Sequence, residues 1–92
     1  MAKPYRSRSR LVLDVLRAVR GEGKAQVTRL LMVANLTHPR LMEHLEPLVA
    51  KGWLAESSED GRKSWSLTPA GQAALRQLES MEEALMDLGL AM

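Results

Sequence analysis

The chain contains no cysteine and no phenylalanine, and its only aromatic residues are two tryptophans and one tyrosine. The lack of cysteine excludes a disulfide framework, a cysteine-ligated zinc site and thiol catalysis. No apolar run approaches the ~18 residues that a bilayer crossing needs, and the N-terminal segment lacks the apolar core of a signal peptide. We therefore expect a soluble, cytoplasmic protein that has no membrane partner.

Sequence motifs that carry catalysis are also missing. The chain has no glycine-flanked nucleophile, no phosphate-binding loop and no sign of the close pair of buried carboxylates typical of acid–base catalysis. The two histidines, His38 and His44, lie six residues apart without a third ligand nearby, which argues against a metal site. We expect a protein that is not an enzyme and binds no cofactor or metal ion, and the sequence identifies no effector.

The length and composition predict one small globular domain. The chain has 92 residues, within the range of about 50 to 250 that single domains span. Hydrophobic residues make up 46% and charged residues 26%, a balance typical of a folded rather than a disordered chain. A chain of this size buries only ~60–65% of its unfolded surface, so its core is marginal and dimerisation would stabilise it.

The formal net charge of +2 conceals an uneven distribution. Residues 1–42 contain nine basic and two acidic side chains, a net charge of +7. Residues 43–92 contain four basic and nine acidic side chains, a net charge of −5. This split predicts a basic face for a polyanion, formed by the first half of the chain, and a separate acidic surface. The alternative is an arbitrary distribution of surface charge.

Apolar periodicity predicts three helices in the first half of the chain. Residues 1–8 lack such periodicity and are predicted to form a flexible basic arm. The first helix spans 10–20 with Ser9 as its N-cap, the second spans about 26–34, and the third begins after its N-cap Thr37 and ends at Gly52. Between the first two helices, Lys24-Ala25 has room for a minimal edge strand or for none. Pro47 lies inside the third helix and predicts a kink or an early end.

A β-hairpin is predicted after the third helix. Asp60-Gly61 is a strong signal for a type I′ turn, because both central residues of that turn need positive φ. With this turn, Leu54 lies opposite Leu67 and diagonal to Trp65, so all three side chains share one buried face. Thr68-Pro69 then provides the N-cap and first turn of a last helix that continues to Gly89.

The last helix has the apolar spacing of a coiled-coil seam. The spacing alternates between three and four residues at Gly71, Ala74, Leu78, Met81, Leu85, Leu88 and Met92. We predict a symmetric dimer whose interface is formed by Ala74, Leu78, Met81, Leu85 and Leu88. Packing of this seam against the protein's own core is the alternative.

The order of these elements predicts a winged helix-turn-helix: a mainly α fold with a small β-hairpin and a long C-terminal helix for dimerisation. The chain resembles the small winged-helix transcriptional regulators of archaea and their viruses over residues 8–75. The residues that carry the resemblance are 8–10 (RSR), 28–37 (TRLLMVANLT), 45–54 (LEPLVAKGWL) and 65–71 (WSLTPAG). The predicted organisation is an arm at 1–8, a DNA-binding domain at 9–70 and the dimerisation helix at 69–92.

The resemblance implies a DNA interface centred on the third helix, which enters the major groove in this architecture. Arg40 is the candidate for bidentate recognition of guanine, and Glu43 could accept from cytosine N4. The other candidates for contacts to bases or phosphates are Thr28, Arg29, Thr37, His38 and His44, with Arg62 and Lys63 on the predicted hairpin and Lys3, Arg6 and Arg8 in the arm.

These observations favour a sequence-specific regulator of transcription that binds double-stranded DNA as a homodimer and associates with the nucleoid. Two alternatives remain open at this point. The domain could be a protein-interaction module of a transcription or replication assembly, for which the acidic C-terminal helix would be the docking surface. It could also be an architectural protein that binds DNA without sequence specificity.

Overall fold

Helices build most of the fold, and a small sheet closes one side of it. The computed structural model describes residues 7–92. The elements in chain order are α1 (Arg8–Glu22), β1 (Ala25–Gln26), α2 (Val27–Ala34), α3 (His38–Ala50), β2 (Leu54–Glu59), β3 (Arg62–Leu67) and α4 (Pro69–Asp87). This arrangement confirms the predicted winged helix with its long C-terminal helix.

The first helix begins two residues earlier than predicted. Ser7, not Ser9, is the N-cap, because its hydroxyl oxygen accepts a hydrogen bond from the Arg10 amide at 3.1 Å. Arg8 therefore belongs to α1 and not to an arm. The helix also continues past Gly21 and ends where Gly23 adopts a positive φ of 73°. Lys3 and Arg6, the other basic residues of the predicted arm, lie outside the described residues.

The turn between α2 and α3 follows from two local features. Asn35 adopts the left-handed conformation with φ of 54° and ends α2, a role for which asparagine is well suited. Thr37 occupies the N-cap of α3 as predicted, although its side chain makes no capping hydrogen bond. Of the two effects considered for Pro47, a kink or an early end, the early end does not occur, since α3 remains helical through Ala50.

The sheet has the strand order β1-β3-β2 and is antiparallel throughout. The wing, defined here as the hairpin of residues 54–67, turns at Asp60 and Gly61 with φ values of 53° and 76°, as a type I′ turn requires. Leu54 pairs with Leu67, which confirms the predicted register. The minimal first strand does form, one residue later than expected, and Ala25 pairs with Trp65.

The core lies between the helices and the inner face of the sheet. Trp65 is only 2% exposed and is the largest fully buried side chain. Trp53, also predicted to be a core residue, is half-buried at the edge of the core, with the Lys51 ammonium 5.7 Å from its ring centroid. The other buried side chains are aliphatic: Leu11, Leu13, Val15, Leu16, Val19, Ala25, Leu30, Ala34, Leu41, Leu45, Leu48, Leu54, Ala74 and Leu75.

The start of α4 is fixed against the turn that joins α3 to the wing. The Thr68 hydroxyl accepts from the Gly71 amide at 3.0 Å and donates to the Gly52 carbonyl. Gly71 packs so closely that a Cβ atom there would lie 2.0 Å from the Trp53 carbonyl oxygen. The first residue of the predicted coiled-coil seam is therefore a close-contact glycine of the monomer.

None of the helices within residues 7–92 combines the length and apolar character that a bilayer crossing requires.

Substitution of Gly71 by alanine tests this close contact. Because the new methyl group would overlap backbone atoms that cannot rotate away, we expect Gly71→Ala to destabilise the fold by about 1–3 kcal/mol. Gly21→Ala is the matched control: this helical glycine has nothing within 4 Å, and alanine there should stabilise α1 by about 0.5–1 kcal/mol. Urea unfolding followed by circular dichroism measures both, and equal midpoints for Gly71→Ala and the parent protein would contradict the packing.

Candidate nucleic-acid interface

The outer face of α3 carries the predicted base-contacting residues. Leu41, Leu45 and Leu48 are buried on the inner side of this helix, which turns the side chains of Arg40 and Glu43 to the outside, 65% and 69% exposed. His44 is half-buried on the flank. The Arg40 guanidinium and the Glu43 carboxylate form an ion pair of 3.8 Å between Nε and Oε2, one turn apart on the helix.

A cleft of about 470 Å³ lies between the start of α2, the start of α3 and the wing. Four of the predicted contact residues line it: Thr28, His38, Arg62 and Lys63. The cleft therefore brings together side chains from three separate elements, and the N-termini of two helices, whose free amides favour anions, border it. Gln26 of β1 also lines the cleft, a residue that the sequence analysis missed because a two-residue strand has almost no periodic signal.

Most of the exposed cations near the cleft are paired with a carboxylate. Arg29 belongs to the first turn of α2, and its Nε is 3.0 Å from Glu22 Oε1 at the end of α1. On the wing, Lys63 Nζ is 3.3 Å from Glu56 Oε1. Lys24 Nζ is 3.4 Å from Glu59 Oε1. Each of these cations is more than half exposed, so a phosphate can compete for it at little energetic cost.

Arg62 differs from the other cations of the wing. It is exposed, lines the cleft and, among residues 7–92, has no carboxylate within 4.0 Å of its guanidinium. Thr37, at the N-cap of α3, is also exposed but is not part of the cleft lining. Arg8 is exposed at the first turn of α1, outside the cleft.

The basic face predicted from the first half of the chain is only partly formed. Three arginines of α1 are directed at two glutamates of α4 and not at the cleft. Arg17 binds Glu79 at 2.9 Å and Glu82 at 2.8 Å, Arg20 binds Glu79 at 2.8 Å, and Arg10 binds Glu82. We call this set the α1–α4 clamp; it comprises Arg10, Arg17, Arg20, Glu79 and Glu82. The expected separation of a basic half from an acidic half is therefore wrong for α1 and α4, which neutralise each other.

The clamp shifts the protonation equilibria of its members. Hydrogen bonds donated by Arg20 and by Arg17 lower the pKa of the Glu79 carboxyl to about 2. The hydrogen bond from Arg17 likewise lowers the pKa of Glu82. Glu79 raises the pKa values of Arg17 and Arg20 in return. Glu79, Glu82, Arg17 and Arg20 are therefore charged at neutral pH.

The residues predicted to form the dimer interface fall into two groups. Ala74 is only 8% exposed and Leu78 is half-buried, and both pack within the protein's own chain. For these two positions the alternative, packing against the monomer core, describes the structure. Met81 and Leu88 are 57% and 74% exposed, and Leu85 is half-buried. We refer to Met81, Leu85 and Leu88 as the exposed seam of α4.

Metal-binding groups are not clustered in the described part of the chain. Within residues 7–92, no three histidine, aspartate or glutamate side chains come together in a way that could hold a metal ion. His38 lies at the cleft and His44 on the flank of α3. Their position makes them neighbours of the proposed interface.

Comparison with known proteins identifies the family. The model of the winged helix-turn-helix family matches residues 5–86, so the chain belongs to this family. No curated protein matches the sequence. The DNA-binding protein Sso10a-2 from Sulfolobus solfataricus has a similar structure, with a TM-score of 0.82, 25% identity and coverage of 90% of this chain and 85% of that one.

Two further solved structures are also similar to this chain. SSV1 F-93 matches with a TM-score of 0.66 and 17% identity, over 96% of this chain and 99% of that one. MarR C80S from E. coli matches with a TM-score of 0.69 and 25% identity, over 75% of this chain but only 53% of that one. The chain thus spans about half the length of this larger regulator. The archaeal neighbours confirm the resemblance predicted from the sequence.

The lowered pKa of Glu79 predicts a specific dependence of stability on pH. The folded pKa of about 2 lies below the unfolded value of 4.5. The unfolded chain therefore binds more protons between these values, and stability falls as the pH falls through this range. We expect Glu79→Gln to lose about 1 kcal/mol at pH 7, a value reduced for solvent screening because Glu79 is 27% exposed.

The difference between Glu79→Gln and the parent protein should shrink as the pH falls from 4.5 towards 2, because protonation removes the same charge from the parent. Urea unfolding at a series of pH values measures this difference. Glu83→Gln is the control, since Glu83 is exposed on the same helix and belongs to no ion pair within residues 7–92. A Glu79→Gln deficit that stays constant down to pH 2 would contradict the role of the Glu79 charge.

Proposed function

We propose that this chain is a sequence-specific regulator of transcription that binds double-stranded DNA as a homodimer. The observation that carries the proposal is the cleft, where α2, α3 and the wing contribute Thr28, His38, Arg62 and Lys63 to one surface beside the exposed face of α3. The winged-helix family and the similarity to a structure described as a DNA-binding protein support it. The same fold favours a regulator without enzymatic activity, located at the nucleoid.

In the proposed complex, the exposed face of α3 lies in the major groove. Arg40 is the residue that reads a base, because its guanidinium can donate two hydrogen bonds to guanine O6 and N7. Its ion pair with Glu43 is long and highly exposed, so the guanidinium can leave it at small cost. Glu43 then accepts from a neighbouring cytosine N4, and His44 reaches the groove from the flank of the helix.

Phosphates occupy the cleft in this proposal. The Thr28 hydroxyl and the free amides at the start of α2 donate to one phosphate. Arg62 is the wing residue that contacts a phosphate most readily, because no carboxylate among the described residues competes for it. Arg29 and Lys63 contribute after a phosphate displaces their carboxylate partners, and His38 contributes from the same cleft as Lys63. Thr37, at the N-cap of α3, and Arg8, in the first turn of α1, lie outside the cleft, so their proposed contacts are to other phosphates. Arg6 lies outside the described residues.

The homodimer is proposed to form through the exposed seam of α4. Met81 and Leu88 each leave more than half of their surface in water, and Leu85 lies between them along the helix. A long apolar stripe of this kind is costly in a small monomer, and pairing of two copies would bury it. A two-fold axis at this seam would place two α3 helices on successive major grooves of a palindrome.

One observation favours the alternative, a protein-interaction module. Carboxylates accompany several of the exposed cations of the interface, in the pairs Glu22–Arg29, Glu43–Arg40 and Glu56–Lys63. Such mixed charge suits a protein partner as well as DNA. Retention of duplex DNA at low salt decides between the two, because the interaction module would show none.

Two arginine substitutions test the DNA interface. We expect Arg40→Ala to weaken binding to a selected duplex by about 1–3 kcal/mol and to relax the preference at one base pair. Arg62→Ala should weaken binding to all duplexes equally and lower the slope of log affinity against log salt by about 1. Fluorescence anisotropy over a salt series measures both effects.

Arg76→Ala is the matched control for these variants, since Arg76 is exposed on α4 outside the cleft. Equal losses for all three variants would show only a general charge effect. An architectural protein would instead bind selected and random duplexes with the same affinity, and Arg40→Ala would not change that ratio.

A charged substitution in the exposed seam tests the dimer. Met81→Asp would place a carboxylate inside the proposed interface, and we expect the dimer dissociation constant to rise by at least about 100-fold. Met86→Asp is the control: Met86 is 65% exposed on the same helix, about 140° around its axis from Met81. Sedimentation equilibrium distinguishes the two, and a dimer unaffected by Met81→Asp would exclude this interface.

A further inference from the structure

The long helix α4 has two functional sides. Its clamp side presents Glu79 and Glu82 to the arginines of α1. Its other side presents the exposed seam. With about 100° of rotation per residue, Met81 lies about 160° around the helix from Glu79 and about 100° from Glu82, while Leu85 lies about 60° from Glu82. Met81 is 57% exposed, so the clamp leaves this part of the seam uncovered for a second copy of the chain.

Apolar packing holds only the first half of α4 tightly. Its buried residues are Gly71, Ala74 and Leu75, and Leu78 is the last helical residue that packs against the core. Beyond Leu78, ion pairs of Glu79 and Glu82 join α4 to α1, and Met92 packs against the core after the turn at Gly89. The direction of the outer half of α4 thus depends on charged contacts.

The geometry of the clamp is that of a rigid attachment. Arg20 binds Glu79 with two nitrogens on two oxygens, at 2.8 and 3.1 Å. Arg17 bridges both glutamates, so the two carboxylates are tied to one guanidinium. The side chain of Glu82 is only 14% exposed and that of Glu79 is 27% exposed, which limits screening by salt. Forked contacts of this kind fix orientation as well as distance.

The helix to which the clamp attaches α4 is α1, which has the most buried side chains of the four helices. α1 contributes Leu11, Leu13, Val15, Leu16 and Val19 to the core. Any rotation of the outer half of α4 relative to α1 therefore changes the position of the exposed seam relative to the whole DNA-binding unit, including α3.

We propose that Glu79 and Glu82 are positioning residues that set the distance between the two α3 helices of the dimer, and hence the half-site spacing that the protein accepts on DNA. This inference rests on the proposed function, because it requires the dimer formed by the exposed seam. It assigns to the acidic residues of α4 a role in specificity without any contact to DNA. Loss of the clamp leaves the seam able to pair but allows each DNA-binding unit to rotate about α4.

Distance measurements between spin labels test this proposal without DNA. The chain has no native cysteine, so Ser58→Cys provides a single labelling site, exposed on the wing. Double electron–electron resonance then reports the distance between the two wings of a dimer. We expect a narrow distribution for the protein with an intact clamp. In the Glu79→Gln/Glu82→Gln background we expect a distribution at least about twice as broad, with the dimer fraction unchanged.

Glu83→Gln/Asp87→Asn is the matched control, because it removes the same two charges from exposed positions of α4 outside the clamp. Arg20→Gln is a milder second variant that removes the fork to Glu79 from a half-exposed arginine, and it should broaden the distribution to a smaller extent. This variant decides the question if the double variant does not fold, as judged by circular dichroism.

The outcomes separate the inference from the function on which it rests. Broadening in the clamp variants and not in the control supports the positioning role. A narrow distribution in a dimer of the clamp variants overturns it and leaves the dimer intact. If the parent protein gives no distance between wings at concentrations where Met81→Asp and the parent sediment alike, the proposed dimer fails, and the inference fails with it.

Discussion

The ion pairs between α1 and α4 determine how the charges of this protein are used. Three of the nine basic side chains in residues 1–42 form ion pairs with two of the nine acidic side chains in residues 43–92. This interaction attaches the outer half of the C-terminal helix to the helical core, where apolar packing has ended. It also leaves the proposed DNA interface with fewer free cations than the amino-acid composition implies.

The remaining cations of the proposed DNA interface mostly have a carboxylate nearby. Non-specific affinity for DNA comes almost entirely from the neutralisation of phosphates by lysine and arginine. Here Arg29, Arg40 and Lys63 each have a carboxylate nearby, and Arg62 is the cation of the cleft without one among the described residues. These exposed pairs are weak, so a phosphate can replace each carboxylate at little cost. In the proposed complex, the sequence preference comes from contacts to base edges and not from the phosphate contacts.

Local signals in the sequence predicted the architecture well. The turn at Asp60-Gly61 depends only on two residues that tolerate positive φ, and it determines the register of the wing. Thr68 also predicted the start of α4 from residue type alone, because threonine is a favoured N-cap. Its hydroxyl accepts a hydrogen bond from the Gly71 amide. The first helix was misplaced because Ser7 and Ser9 are equally good caps by residue type, and only the observed hydrogen bond distinguishes them.

Tertiary relations were harder to predict. The basic charge of the first half of the chain and the acidic charge of the last helix were visible separately, but their pairing depends on how two helices distant in sequence cross. The seam of α4 showed the same limit, because heptad spacing does not distinguish Ala74, buried in the monomer, from Met81, exposed to solvent. The predicted contact residues Thr28, His38, Arg62 and Lys63 do meet at one cleft, since the winged-helix topology brings their elements together.

Selection of bound duplexes from a random pool tests whether this protein binds DNA as a sequence-specific dimer. We predict enrichment of a palindrome whose two half-sites are separated by one turn of DNA, about 10 base pairs, or a multiple of it, because two α3 helices related by a two-fold axis read successive major grooves. Recovery of a pool without any enriched sequence, or of no DNA at low salt, would contradict it.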